Sequence, residues 1–204
     1  MKTSSKYTDF IKNLNEGNIC LFETDTVVGI GCKIFHEKQI NNKIFDIFDI
    51  KKRSKNKPFP WLISSEQMLD EFSTNINKNG EKLIDEKWPG ATTLIFEASH
   101  IVPEELCIIN IDGDKTVAFR IPDSEELICA IDYINVPIAC TSANLAGEKA
   151  PLELAKVKKS ILNTVDFVYE KSFHKNYNAS ASEIISCVGK EPEILRAKVS
   201  SNNN

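Results

Sequence analysis

Val136-Pro137-Ile138-Ala139-Cys140-Thr141-Ser142-Ala143-Asn144-Leu145-Ala146-Gly147 passes from a short apolar run into hydroxyls, an amide and a glycine. The run Val136 to Cys140 is brief, rich in β-formers and bounded by turn residues, the pattern of a buried strand. A strand ending in Thr-Ser-x-Asn sets small hydrogen-bonding groups at the C-terminal edge of a sheet, where open α/β sheets hold ligands. Such groups suit a phosphate or a carboxylate. Ser and Asn also build ordinary turns, so a function for Thr141, Ser142 and Asn144 depends on what the rest of the chain supplies.

Outward from this strand, strands and helices alternate. A helix from about Ser124 to Ile134 precedes it, and Pro151 opens another whose apolar positions Leu154, Val157, Ile161 and Leu162 share a face. Earlier, Tyr7, Phe10, Ile11 and Leu14 at helical spacing predict a helix over residues 4 to 16, stopped by Gly17. Strands are expected at Ile19 to Phe22, Val27 to Cys32, Phe59 to Ile63, Thr92 to Phe96, Leu106 to Asn110, Thr116 to Arg120 and Asp166 to Tyr169. Glu183 to Val188 and Glu193 to Arg196 read as two more, joined at Gly189-Lys190. Helices are expected around Ile40 to Ile50, after Ser64 or Ser65, and from Glu81 to Trp88, where Trp88-Pro89-Gly90 turns the chain. This order predicts an α/β (mixed α+β) fold, a single domain over residues 1–198 with a disordered tail at 199–204.

Composition excludes several function classes. The 25 basic and 29 acidic residues leave a net charge of -4, so any anion site must be a local cluster rather than a global field. The six cysteines form no Cys-x-x-Cys pair and mostly sit in apolar runs, which predicts buried free thiols in a reducing cytoplasmic setting and neither zinc site nor disulfide framework. No apolar run reaches the ~18 residues of a membrane span. His36, His100 and His174 stand in unlike contexts and are assigned to no metal or acid–base role.

Local clusters do exist. Lys51-Lys52-Arg53-Ser54-Lys55-Asn56-Lys57 puts five cations in seven residues between a helix and Pro58, a linker inside the fold rather than a tail. Arg120 and Arg196 each end an apolar run. Thr24-Asp25-Thr26 brings hydroxyls and a carboxylate beside Gly29 and Gly31, glycines that admit either a ligand or a neighbouring strand. Phe173 to Ser182 is polar and irregular, a candidate lid.

Taken in order, Thr24-Asp25-Thr26-x-x-Gly29, Lys51-x-Arg53 with Lys57-Pro58, Trp88-Pro89-Gly90, Arg120-x-Pro122 and Thr141-Ser142-Ala143-Asn144-Leu145-x-Gly147 resemble the signature of the YrdC-like threonylcarbamoyl-adenylate synthases. Ser180-Ala181-Ser182-Glu183-Ile184 and Ile194-Leu195-Arg196 resemble that family's closing strands, so the likeness runs from about Ile19 to Arg196. It implies a twisted open sheet flanked by helices around a large concave, positively lined cavity. It also implies a nucleotidyltransferase that joins L-threonine, bicarbonate and ATP into threonylcarbamoyl-AMP and pyrophosphate. The product serves threonylcarbamoyl-adenosine modification next to the anticodon of ANN-decoding tRNAs, through a downstream threonylcarbamoyl transferase machinery and with a contact to tRNA. Carried over by position, Lys51, Arg53, Ser142 and Asn144 form the catalytic set. Thr24, Thr26, Lys57, Arg120, Thr141, Ser180, Ser182 and Arg196 bind substrate or ATP.

The residue chemistry agrees with that reaction. Gathering ATP, bicarbonate and a carboxylate needs fixed cations and donors rather than a nucleophile; arginines grip oxyanions as bidentate forks and lysines act as point charges. Mg²⁺ is expected to arrive with ATP, with no built-in metal site. The chain departs from the family pattern at Glu23, Val28, Lys52, Ala146, Ser186 and Ala197-Lys198, and the resemblance is expected to be to the short bacterial form, which has no second domain. The alternatives weighed are a non-catalytic member that binds double-stranded RNA or tRNA, and a carbamoyl-transfer protein of the hydrogenase-maturation type.

Overall fold

The computed structural model describes residues 1–36, 38–54, 58–110, 112–172 and 180–197. Lys57, most of the expected lid and the expected tail lie outside the described residues. In chain order the elements are β1 (Lys2–Ser4), α1 (Tyr7–Asn15), β2 (Cys20–Glu23), β3 (Val28–Lys33), β4 (Phe35–His36), β5 (Gln39–Ile40), α2 (Lys43–Lys51), β6 (Trp61–Leu62), α3 (Glu66–Phe72) and β7 (Ser73–Thr74). They continue as α4 (Lys78–Lys87), β8 (Thr92–Ala98), β9 (Ile108–Ile109), β10 (Lys115–Arg120), α5 (Glu125–Ile134), β11 (Ile138–Ser142), α6 (Lys159–Leu162), β12 (Phe167–Tyr169), β13 (Glu183–Ser186) and β14 (Glu193–Arg196).

The main sheet runs β1-β12-β2-β3-β11-β6-β10-β8-β13-β14, with β7 added to β8 and β9 to β10; β4 and β5 make a separate hairpin. It is mixed, with parallel pairs at β1/β12, β12/β2, β6/β10 and β8/β13 and antiparallel pairs between. Its central strands β2 and β3 are buried along their whole length, which is why they read as continuous apolar runs rather than alternating ones. Gly31 is required by packing. A Cβ there would lie 2.5 Å from the Ala139 carbonyl oxygen on β11, so glycine admits the neighbouring strand.

Helices begin where the sequence offers caps. Ser65 Oγ accepts from Met68 N at 3.2 Å and Ser124 Oγ from Leu127 N at 3.3 Å, satisfying donors the first turn leaves open. Helix α1 buries Phe10 and Leu14 and meets α5 where Tyr7 Oη donates to the Glu126 carbonyl at 2.6 Å. Trp61 anchors short β6 by edge-on contacts with Phe72 and Phe119. No helix of the described residues is long and apolar enough to cross a membrane.

Three sequence expectations change. The first helix starts at Tyr7 rather than residue 4, because Ser4 closes a strand, Lys2–Ser4, that pairs in parallel with Phe167–Tyr169, a long-range partnership invisible locally. The helix expected after Pro151 breaks into a 3-10 turn at Leu154–Lys156 and the four-residue α6, since Val157 and Lys158 are extended and Glu23 Oε1 accepts from Leu154 N at 3.3 Å. Finally, Thr141 and Ser142 belong to β11, paired with Ile30 and Gly29. The polar groups sit on the strand's last residues rather than beyond it.

Candidate active site

β3, β6, β8, β10, β11 and β13 converge on one concave cavity enclosing about 690 Å³, its open mouth included. Its cationic groups come from three separated parts of the chain. Arg53 follows α2, Arg120 ends β10, and Arg196 ends β14. Among the described residues no aspartate or glutamate lines the cavity. The guanidiniums feel one another: burial and then Arg196 lower Arg53 below its ordinary pKa, and burial and then Arg120 lower Arg196. Like charges held together in a half-buried cleft are an arrangement that an anion relieves.

Each arginine is aimed by specific bonds. Arg120 Nη2 pairs with Asp25 Oδ1, Nη1 donates to Thr26 Oγ1 at 3.0 Å, and Nε donates to the Gly90 carbonyl at 3.0 Å. One side chain thus ties the threonine loop to the Trp88-Pro89-Gly90 turn. Trp88 itself packs edge-on against Phe96 and donates from Nε1 to the Thr92 carbonyl at 2.7 Å, as part of the core rather than the cavity. Thr24 Oγ1 donates to the Val27 carbonyl at 2.7 Å and lies 3.0 Å from Thr26 Oγ1. Since the Thr24 proton is used on Val27, Thr26 is the donor in that contact. A directed chain follows, Arg120 to Thr26 to Thr24 to Val27, in which each bond polarises the next.

On the opposite edge Arg196 Nε donates to the Ser182 carbonyl at 2.8 Å and Nη2 to Ser182 Oγ at 3.2 Å, while Ser182 Oγ contacts Thr93 Oγ1 at 2.9 Å. Thr93 lines the cavity and had not been singled out. Its signal was there in the Thr-Thr pair opening β8, but alternation along a strand does not say which threonine faces a ligand. Arg53 lies over the Phe59 ring, 5.2 Å from its centroid, and donates from Nη2 to the Pro58 carbonyl at 3.3 Å.

Of the expected site residues, Thr24, Thr26, Arg53, Arg120, Thr141, Ser142, Ser182 and Arg196 line this one cavity. Ser180 does not line it, and Lys57 lies outside the described residues. Asn144 faces a neighbouring cavity of about 600 Å³ with Lys149, Lys156 and the Lys158–Glu148 ion pair, its Nδ2 donating to the Leu145 and Glu148 carbonyls at 2.9 and 2.7 Å and its buried Oδ1 left without a partner among the described residues. Lys51 is only 2% exposed and lines neither cavity. Its Nζ donates to the Ser142 carbonyl and, at 2.6 Å, to the Asn144 carbonyl. Lys51 therefore stands beneath the Ser142–Asn144 segment rather than across a cavity from it, because α2 ends directly under that turn.

Two of the departures from the family pattern, Glu23 and Val28, do not line the cavity. Glu23 ends β2 and caps the 3-10 turn, and Val28 is fully buried. Cys140 does line the cavity, but burial pushes its thiol up to about 12 despite Arg120 and Lys51 nearby, so it is no thiolate nucleophile at neutral pH.

Residues 12–198 match the Sua5/YciO/YrdC family model, described as telomere recombination. This chain belongs to that family. A Pyrococcus abyssi relative named threonylcarbamoyl-AMP synthase is 29% identical over 157 residues, covering 77% of this chain and 44% of its own length. A Bacillus subtilis protein of the same name is 26% identical over 183 residues, covering 90% of this chain and 50% of its own. The chain thus spans about half the length of these two Sua5/YciO/YrdC relatives. The crystal structure of P. abyssi Sua5 complexed with L-threonine superposes with a TM-score of 0.82 at 26% identity, over 97% of this chain and 56% of that one. The fold is also that of Escherichia coli YciO, with a TM-score of 0.78 at 18% identity over 97% and 94% of the two chains.

Proposed function

We propose that this chain is an L-threonylcarbamoyl-adenylate synthase, a nucleotidyltransferase acting on L-threonine, bicarbonate and ATP. The observation that carries the reading is three arginines from distant parts of an acidic chain, Arg120 of them paired with Asp25, in one cavity that no carboxylate lines among the described residues. A site that must gather a polyphosphate, bicarbonate and an amino-acid carboxylate needs that charge. Supporting it are the names of the P. abyssi and B. subtilis relatives and the L-threonine bound to P. abyssi Sua5.

The amine of threonine and bicarbonate form a carbamate with loss of water. A carbamate oxygen then attacks the α-phosphorus, the bond to the β-phosphate oxygen breaks, and pyrophosphate leaves. The protein's part is positional and electrostatic. Arg53 and Arg196 hold oxyanions, while Arg120 holds the threonine loop in place at the cavity wall. Ser142 Oγ, at the end of β11, offers a hydroxyl to a phosphate oxygen. Among the described residues no three His, Cys, Asp or Glu side chains cluster as a metal site; Mg²⁺ enters here as part of the substrate, carried on the phosphates. The adenylate then passes to a threonylcarbamoyl transferase machinery acting on tRNA.

The test is incubation of the protein with ATP, Mg²⁺, threonine and labelled bicarbonate, with product read by mass spectrometry. A labelled adenylate is expected, and Arg53→Ala should lower its formation on the order of 10²-fold. No adenylate beside an active control, together with tight binding of double-stranded RNA, would overturn the reading in favour of an RNA-binding member.

A further inference from the structure

Lys51 and Arg53 are two residues apart, yet the structure uses them differently. Lys52 between them takes the left-handed conformation, φ 52° and ψ 42°, which ends α2. Arg53 N then donates back to the Phe48 carbonyl at 2.9 Å, the pattern that closes a helix and redirects the chain. The reversal sends Arg53 to the cavity and leaves Lys51 under β11 and the turn that follows. There Lys51 makes three bonds to one short segment. Its Nζ donates to the Ser142 and Asn144 carbonyls, and its own carbonyl accepts from Ala146 N at 2.9 Å.

We propose that Lys51 is a positioning residue that holds the Ser142–Ala146 turn in its ligand-binding shape and does not itself touch substrate. Two carbonyl oxygens bound to one ammonium fix two peptide planes. Those planes set where Ser142 Oγ and the Asn144 side chain point, the first into one cavity and the second into its neighbour. Ala143 N, between them, donates to the Val28 carbonyl at 2.8 Å, so the turn is pinned from the β3 side as well as from α2. Without Lys51 the Ser142 carbonyl keeps only Asn144 N, at 2.9 Å, while the Asn144 carbonyl loses its lysine donor, and a buried acceptor without a partner is costly enough to turn a peptide group. The titratable groups that bear on Lys51 are the Arg53 guanidinium beyond α2 and the Cys140 thiol on β11.

The proposal rests on the synthase reading only for the identity of the anion, so its first measurement uses no substrate. Amide hydrogen exchange at Ala143 to Gly147 is compared in the wild type, Lys51→Met and Lys51→Gln. Methionine keeps the bulk and removes the donors; glutamine keeps two N–H donors without charge and is one bond shorter. Lys51→Met should speed exchange of this segment at least tenfold without a comparable change elsewhere, and weaken binding of inorganic pyrophosphate in parallel. Lys51→Gln should recover part of both, a rescue that a point-charge role does not allow. Loss of protection in both variants, with pyrophosphate affinity falling alongside it, also upholds the proposal. Wild-type exchange of the segment in both variants, beside an equal collapse of pyrophosphate affinity, would overturn it and make Lys51 a direct anion ligand. If Lys51→Met fails to fold, Lys51→Gln alone decides: exchange and affinity that move together support positioning, and affinity lost at unchanged exchange refutes it. An absent adenylate product would count against the synthase reading and leave the exchange result standing.

Discussion

A buried ion pair and a buried lysine set the chemistry at the scale of single residues. Asp25 and Arg120 form an ion pair with side chains 5% and 6% exposed, and such a pair is weak evidence for stability while intact but costly to break. Asp25→Asn should lower unfolding free energy by about 3–5 kcal/mol, read from urea denaturation; a loss under about 1 kcal/mol would show that water reaches Arg120. Lys51 is the second. Burial first and Arg53 next bring its pKa down to about 8, below the ~10.4 of an unfolded chain. Between those values the unfolded state binds more protons, so this group's contribution to stability rises with pH through the window and is unfavourable below it. The buried thiols Cys20 and Cys32, pushed up by burial, pull the other way, so the comparison must be with a variant. The stability of the wild type relative to Lys51→Gln should increase from about pH 7.5 to about pH 9.5 in paired urea titrations. A constant difference would mean an ordinary lysine.

The decisive element is the C-terminus of α2. A non-glycine residue in the left-handed region costs roughly 1–2 kcal/mol, and Lys52 occupies that region. Lys52→Gly should therefore stabilise the fold by about 0.5–1 kcal/mol after glycine's extra unfolded-chain entropy is subtracted, seen as a raised thermal midpoint with adenylate synthesis retained. A lowered midpoint would place the value of Lys52 in its side chain. The Lys51-x-Arg53 spacing was legible in the sequence as a cationic pair. What was not legible is that the intervening residue reverses the chain and sends the two cations to different places, because a left-handed cap filled by lysine carries none of glycine's signal.

For the whole molecule, the cavity exists because the sheet order brings β3, β10 and β14 to one concave face. Arg53 and Arg196 are far apart in sequence, yet they should act on one ligand. A double-mutant cycle of Arg53→Ala and Arg196→Ala on pyrophosphate affinity, measured by calorimetry, should show coupling of about 0.5–3 kcal/mol. Additivity within about 0.3–0.5 kcal/mol would assign the two arginines to separate anions. At this scale Thr24, Thr26, Arg53, Arg120, Ser142, Ser182 and Arg196 were readable as one set because their motifs come in a fixed order along the chain. Asn144 is readable as a site residue but not as facing a second cavity, and nothing in the sequence sets Thr93 apart from Thr92, since both assignments depend on side-chain direction at a sheet edge.

The sequence by itself determined the apolar runs that make central strands, the caps that start α3 and α5, the local rather than global character of the positive charge, and the ordered motifs that mark the family. These are set by neighbours a few residues apart, where periodicity, turn chemistry and residue type suffice. Only the tertiary structure decided that Lys2–Ser4 extends the sheet, that the segment after Pro151 breaks before α6, and that Glu23 turns away from the cavity. It alone placed Lys51 beneath the Ser142–Asn144 turn. Each of these depends on a hydrogen-bond partner tens to more than a hundred residues away in the chain, and no local pattern names that partner.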